Sequence, residues 1–157
     1  MNSNDTLQAE HRSLLPPVYL LMAIVAMVGA DYLAPAARWI EWPWTLLGAV
    51  PIVVGLGMAA LGRYQFHKAN TTVFPFERSS RLVSHGVFRL SRNPMYLGMM
   101  LVLTGVAIGL GSITPVLALP LFLAIIRQRF VLKEEESLAQ QFGPTYHEYT
   151  RKVRRWI

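Results

Sequence analysis

Residues 93–126 read NPMYLGMMLVLTGVAIGLGSITPVLALPLFLAII and contain no charged side chain. An α-helix needs about 20 apolar residues to cross a bilayer, so this stretch is too long for one span and too apolar for a soluble surface. Gly109, Gly111, Ser112 and Pro115 interrupt it near its middle. That cluster of helix breakers predicts a helical hairpin with a very short turn. Its halves fall at about 94–110 and 114–132.

Two more apolar runs lie ahead of the hairpin. Residues 18–37 are interrupted only by Asp31, and residues 42–62 carry no charge and open with Trp42 and Trp44, side chains suited to the headgroup layer. Pro51 and the glycines at 55, 57 and 62 predict a loosened or kinked second helix, and they also permit close backbone approach by a neighbour. The expected fold is an all-α integral membrane protein with about four transmembrane helices and a cytoplasmic helical segment after them. Composition agrees: 53% of the residues are hydrophobic and 15% charged, whereas soluble domains carry about a quarter charged residues. A chain of 157 residues with this much apolar sequence leaves room for a single domain, residues 1–157.

Charge orients the spans. Arg63, Lys68, Arg78, Arg81, Arg89 and Arg92 lie between spans two and three, and Arg127, Arg129, Lys133, Arg151, Lys152, Arg154 and Arg155 follow or close span four. The opposite loops carry only Arg38 and Glu41. An excess of Lys and Arg marks the cytoplasmic side, so both termini are expected there. The net charge of +6 is then explained by topology and contact with anionic headgroups. No base-reading motif accompanies it, and nucleic acid is not an expected partner. Residues 1–16 are polar, lack the pattern of a cleaved signal, and are expected to form a mobile tail. Residues 133–157 are too polar to cross and are expected as a cytoplasmic helical tail with a turn at Phe142-Gly143-Pro144. The absence of cysteine removes disulfides, thiolate metal sites and a cysteine nucleophile.

Two groups of residues carry chemistry. Arg92 and Asn93 precede Pro94, whose fixed φ suits the first turn of a helix, so Asn93 is the expected N-cap and the span starts there. The free N–H groups and positive end of that helix favour an anionic group, and Tyr96 lies on its first turn. Spacing alone favours the ordinary reading, with Arg92 on lipid headgroups and Tyr96 as an interfacial anchor. The second group is Glu134-Glu135-Glu136, directly after span four. Such a run is by default a solvated helix face, yet acids at a membrane edge also suit the cationic part of a ligand whose anionic part lies near Arg92 and Asn93. His67, His85 and His147 have no metal-ligand spacing, so no metal is expected. The glycines of GLG and GLGS lack the strand and crossover that a dinucleotide loop requires. Asp31 near a span end suits capping or snorkelling rather than a proton relay.

In combination, Gly86-Val87-Phe88, Arg92-Asn93-Pro94-Met95-Tyr96-Leu97-Gly98, Glu134-Glu135 and Phe142-Gly143-Pro144-Thr145-Tyr146-His147-Glu148-Tyr149 resemble the isoprenylcysteine carboxyl methyltransferase and phospholipid methyltransferase superfamily of integral membrane enzymes. The resemblance spans about the second half of the chain, with both motifs in order around a hydrophobic hairpin. It implies methyl transfer from S-adenosylmethionine to a small lipophilic or lipid acceptor at the cytoplasmic membrane face. By position, Arg92, Asn93, Pro94, Tyr96 and Leu97, with His85, Gly86 and Phe88 ahead of them, would line the cofactor pocket. Glu134 and Glu135 match the acidic pair, and Tyr146 lies in the aromatic segment that follows. Asn93 stands where the carboxyl methyltransferase version has histidine and matches the Asn-Pro-Met-Tyr form among phospholipid methyltransferases. An amine or thiol acceptor must lose a proton, for which Glu135 and His85 are the candidate bases, whereas a carboxylate acceptor needs none.

The competing readings are a noncatalytic small-molecule exporter or membrane scaffold, and an NADPH-dependent membrane reductase. An exporter more naturally places an acid at mid-membrane, where this chain has none, and a reductase of the related kind would need added spans.

Overall fold

The computed structural model describes residues 15–34, 37–69 and 81–157. Among them five α-helices follow one another: α1 (Pro16–Leu33), α2 (Ala49–Lys68), α3 (Pro94–Leu110), α4 (Ala118–Ile126) and α5 (Leu132–Lys152). Short 3-10 turns at Trp44–Gly48, Gly86–Arg89 and Thr114–Leu117 and a π-helical turn at Arg127–Val131 join onto them. The chain is an all-α integral membrane protein. Pro16–Leu33, Trp44–Lys68 and Thr114–Lys152 are long and apolar enough to cross a membrane, and Pro94–Leu110 is a shorter apolar helix of 17 residues. At 1.5 Å per residue, 17 residues give ~25 Å, close to the hydrocarbon thickness of ~30 Å. The expected mobile tail, up to residue 14, and Arg78 lie outside the described residues.

Local chemistry sets the helix ends. Pro16 and Pro17 open α1, where a missing N–H costs nothing. The helix stops at Leu33 rather than at residue 37, because Ala34 (φ −140°, ψ 65°) precedes a proline in the sequence and is pushed out of helical geometry. The second span runs six residues beyond Gly62, to Lys68. Arg63, Gln65 and Lys68 are good helix formers, and Phe66 finds a partner in Phe88 beyond the bilayer edge. Pro51 lies just past the 3-10 turn at Trp44–Gly48. It is the third residue of α2, where no N–H is owed to an earlier turn of that helix.

The glycines act as spacers that let helices touch. Gly55 lies against the carbonyl of Gly98, and Gly98 against that of Gly55; Gly48 and Gly105 repeat the arrangement one helix-width along. A Cβ at any of the four would overlap backbone, so the sequence lets α2 and α3 pack backbone to backbone. Around α3 a core gathers from α1, α4 and the π turn: Met27, Tyr96, Leu103, Ala107, Phe122, Ile126, Phe130 and Val131. Phe130 meets Tyr19 edge-on at 5.6 Å and Tyr96 at 6.2 Å.

At the hairpin turn, Gly111 takes the left-handed conformation (φ 74°) that ends α3. Its carbonyl accepts the N–H groups of Trp39 (3.0 Å) and Ile40 (3.2 Å). Ser112 donates to Asp31, while the Trp39 indole donates to the Ser112 carbonyl at 3.2 Å. Thr114 closes the end by donating to the Ala34 carbonyl at 2.9 Å. Asp31 thus ties α1 to the hairpin turn.

The fourth span and the tail after it are one helical run. No glycine or proline falls between residues 121 and 142, so nothing stops the helix where charge begins. The apolar part ends by Leu132, and Lys133, Glu134, Glu135 and Glu136 follow, which puts α5 outside the hydrocarbon layer. Gly143 (φ 48°, ψ −122°), followed by Pro144, breaks the helical geometry within α5 at the expected turn.

Candidate functional site

The two motifs meet where α3 begins and α5 leaves the membrane. Pro94, fully buried, fixes the start of α3, and the residue before it occupies the N-cap position. Asn93 does not cap the helix with its side chain, as the sequence suggested; its amide instead donates toward Glu135 (3.5 Å) and the Arg155 carbonyl (3.3 Å). The side chain is turned to aim its N–H donors at an acid and a carbonyl, and in that orientation its oxygen takes no first-turn N–H. Ser91, wholly buried, accepts from the Asn93 N–H at 3.1 Å and donates to the Arg155 carbonyl at 3.0 Å. These bonds tie the 91–93 turn to residue 155.

Glu135 is the electrostatic centre. Arg92 reaches one of its oxygens at 3.4 Å, and Arg155 grips both, with Nε at 3.0 and 3.1 Å and Nη2 at 2.7 Å. The side chains of Arg92 and Glu135 are only 14% and 13% exposed, so these are partly desolvated charges rather than a surface pair. The Arg155 guanidinium is held more firmly protonated by its hydrogen bonds to Glu135. Arg92 Nε is buried and has no hydrogen-bond partner among the described residues. A buried charged donor without an acceptor is costly, and in a native site it points to a group that the protein expects to bind.

Glu134 faces inward. Its carboxyl accepts the Tyr96 hydroxyl at 2.6 Å, which joins the acidic motif directly to the first turn of α3. Burial raises its pKa to about 7; the Tyr96 hydrogen bond opposes that rise and the neighbouring Glu135 charge adds to it. The π turn at Arg127–Val131 precedes both acids. A π turn holds one residue more than an α turn and rotates the following side chains by ~100° about the axis, which helps to aim them at α3.

Aromatic groups close the far side. Tyr146 and Tyr149 are buried with rings 6.2 Å apart, and the Tyr149 hydroxyl donates to the Phe88 carbonyl at 2.6 Å. Burial raises the pKa of both phenols, with Glu135 adding to the effect on Tyr146 and Tyr146 adding to that on Tyr149. Phe88 packs edge-on against Phe66 at 5.1 Å. Gly86 has φ 60°, and a Cβ there would run into the Gln65 amide. With its amide oriented by its neighbours, Gln65 donates to the His85 carbonyl at 2.8 Å and accepts from the Val87 N–H at 3.2 Å.

Of the residues singled out in the sequence, Arg92, Asn93, Tyr96, Glu134, Glu135 and Tyr146 come together here, with Pro94 beneath them. Phe88 is one contact removed, through Tyr149. Leu97, half-buried on α3, donates its N–H to the Asn93 carbonyl at 3.0 Å. Gly86 shapes the approach to the turn, and His85 is exposed, with no hydrogen bond from its imidazole to the acids among the described residues. Ser91, Tyr149 and Arg155 were not singled out as site residues. Three adjacent acids in a basic region did signal that some arginine would pair with them, without saying which.

Comparison with known proteins gives the family. The description phospholipid methyltransferase belongs to the family whose model matches residues 43–145. A probable protein-S-isoprenylcysteine O-methyltransferase of Oryza sativa subsp. indica is 29% identical over 149 residues, covering 89% of this chain and 75% of that protein. An uncharacterized protein of Haemophilus influenzae is 36% identical over 63 residues, which are 40% of this chain and 100% of that protein. Among solved structures, the eukaryotic intramembrane Ras methyltransferase, isoprenylcysteine carboxyl methyltransferase, superposes with a TM-score of 0.66 at 21% identity. That likeness is one of fold; it covers 100% of this chain and 53% of the other, so the chain spans about half the length of the solved protein. With the match at residues 43–145 reaching from the second span through the acidic pair to the kink in α5, the chain belongs to the phospholipid methyltransferase family.

Proposed function

We propose that this protein transfers a methyl group from S-adenosylmethionine to a small lipophilic or lipid acceptor at the cytoplasmic face of the membrane. The observation that carries the reading is the meeting of Arg92 and Asn93 with Glu135, 42 or more residues away in sequence, around a buried guanidinium nitrogen that lacks an acceptor. S-adenosylmethionine bears a carboxylate, an amino group and a sulfonium. Arg92 offers the carboxylate a donor, and Glu134 and Glu135 offer the cationic groups two acids, so the residues present fit the cofactor.

Bound there, with Arg92 holding its carboxylate and Glu134 and Glu135 its cationic groups, the cofactor would supply an electrophilic methyl group for transfer to a nucleophilic atom of the acceptor. The protein's part is positioning, which in favourable systems supplies effective molarities on the order of 10⁵–10⁸ M. Glu135 is committed to two guanidiniums and His85 is exposed, so neither is assigned as a base. An acceptor that arrives as a carboxylate needs none. Exposed apolar side chains of α1, such as Leu21, Met22 and Val25, face lipid, and the acceptor is expected to enter laterally from the bilayer while the cofactor enters from the cytoplasm.

Isothermal titration of the detergent-solubilised protein with S-adenosylmethionine and with NADPH tests the cofactor. Heat with the former alone is expected; heat only with NADPH sinks the reading. Incubation with native lipids and methyl-labelled cofactor, followed by mass spectrometry, then identifies the acceptor. Because the chain has no cysteine, single-cysteine variants E136C and E41C report orientation directly. Labelling of E136C from the cytoplasmic side and of E41C from the other is expected.

A further inference from the structure

Residues 153–157 leave α5 and fold back across the 91–93 turn. The Arg92 N–H donates to the Arg154 carbonyl at 3.0 Å. One residue on, the Arg155 carbonyl accepts from both Ser91 (3.0 Å) and the Asn93 amide (3.3 Å). Trp156 packs against the hydrophobic core cluster and anchors this strap on its far side.

From that strap the Arg155 side chain reaches Glu135. Arg92 touches the carboxylate at one oxygen only, whereas Arg155 contacts both oxygens through a planar fork. A single contact leaves a carboxylate free to rotate about its terminal bond; a fork sets its plane. Arg155 is also the more exposed partner, 32% against 13% for Glu135, so it acts on the acid from outside. One residue therefore grips both halves of the site, with its carbonyl on Asn93 and its guanidinium on Glu135.

We propose that Arg155 is a positioning residue of the ligand pocket, fixing the Glu135 carboxylate and the Asn93 amide in the orientation that receives the ligand. The proposal rests on the reading of these residues as a pocket for S-adenosylmethionine. Arg155 acts through Glu135, so its effect depends on that acid being present.

The test is isothermal titration of the full chain in detergent with S-adenosylmethionine, using R155Q, R155K, E135Q, the R155Q/E135Q double variant and K152Q. The last removes an exposed lysine whose pair with Glu148 lies on the surface. R155Q is expected to weaken binding on the order of 10-fold, and R155K, which keeps the charge without the fork, to weaken it less. K152Q should match the wild type. In the E135Q background, R155Q should cost less than about twofold more, the coupling expected of residues that act as one unit. Wild-type affinity in both R155Q and R155K, or fully multiplicative losses in the double variant, overturns the proposal. If R155Q fails to fold, R155K and the E135Q/R155K pair decide the question in the same way. A wild-type protein that binds no S-adenosylmethionine overturns the pocket reading and this proposal with it.

Discussion

Both ends of the helical bundle hold a carboxylate near the bilayer edge, and they use it in opposite ways. At the hairpin end, Asp31 accepts from Ser112, and the surrounding bonds run from Trp39, Ile40 and Thr114 to carbonyls of Gly111, Ser112 and Ala34. Each of these donors has an acceptor there, and the Gly111 carbonyl takes two. At the other end, two acids, two guanidiniums, an amide and a phenol crowd together, and a buried donor on Arg92 has no acceptor. Polar side chains at a membrane edge thus do not by themselves mark a site. Unfilled hydrogen-bonding capacity is what favours the crowded end, rather than the hairpin end, as the proposed ligand site.

Breaking the crowded end should have the largest effect. Arg92→Ala leaves Glu135 with Arg155 as its one guanidinium partner, beside the Asn93 amide, and removes the donor assigned to the ligand's carboxylate. Titration with S-adenosylmethionine is expected to show a loss of ~100-fold or more, corresponding to about 3 kcal/mol. Asp31→Asn at the hairpin end should leave that affinity unchanged.

Next comes pH. Glu134 binds its proton more tightly folded than unfolded, with a pKa raised from 4.5 to about 7. The folded state therefore holds an extra proton between those values, and the contribution of Glu134 to stability is full below pH 4.5 and is lost as pH rises through about 7, by ~3 kcal/mol in all. Thermal unfolding in detergent should show this slope in the wild type and a flatter profile in Glu134→Gln.

Ser112→Ala should strip Asp31 of its donor and destabilise the fold by ~1–3 kcal/mol, with cofactor affinity unaltered. A parallel loss of affinity would dissolve the contrast between the two ends. The smallest effect belongs to Tyr149→Phe, which removes one hydrogen bond to the Phe88 carbonyl. About 1 kcal/mol of stability is expected to go, read by the same unfolding assay.

Much of this architecture was legible in the sequence because membrane spans are written in runs of uncharged residues. The hairpin of 93–126, its interruption near Gly111 and the turn at Gly143 all rest on local composition and backbone preference, and the structure places them accordingly. What was hidden depends on distance in sequence. Asp31 and Ser112 lie 81 residues apart, and no local pattern pairs them. Arg155 looked like one more topology-setting cation, because charge type is the same whether an arginine meets headgroups or an acid. The π turn at Arg127–Val131 holds no glycine or proline to announce it, and Phe130 and Val131, both fully buried, show that packing governs that register. The Asn93 cap failed for a related reason. Its amide chose partners that only the folded chain brings near.

The helical run from Thr114 to the break at Gly143 has a mechanical consequence. Leu117 and Leu121, exposed to lipid, ride on the same rod as Glu134 and Glu135. Helices answer a change in bilayer thickness by tilting, and over the ~30 Å from Thr114 to Glu134 a tilt of ~5° displaces the acids by ~2.5 Å. Hydrogen bonds of 2.6 to 3.5 Å to Tyr96 and Asn93 do not survive a shift of that size. Where the rod tilts against α3, acyl-chain length in the surrounding membrane is therefore expected to reach the acids along the helix, as a lever.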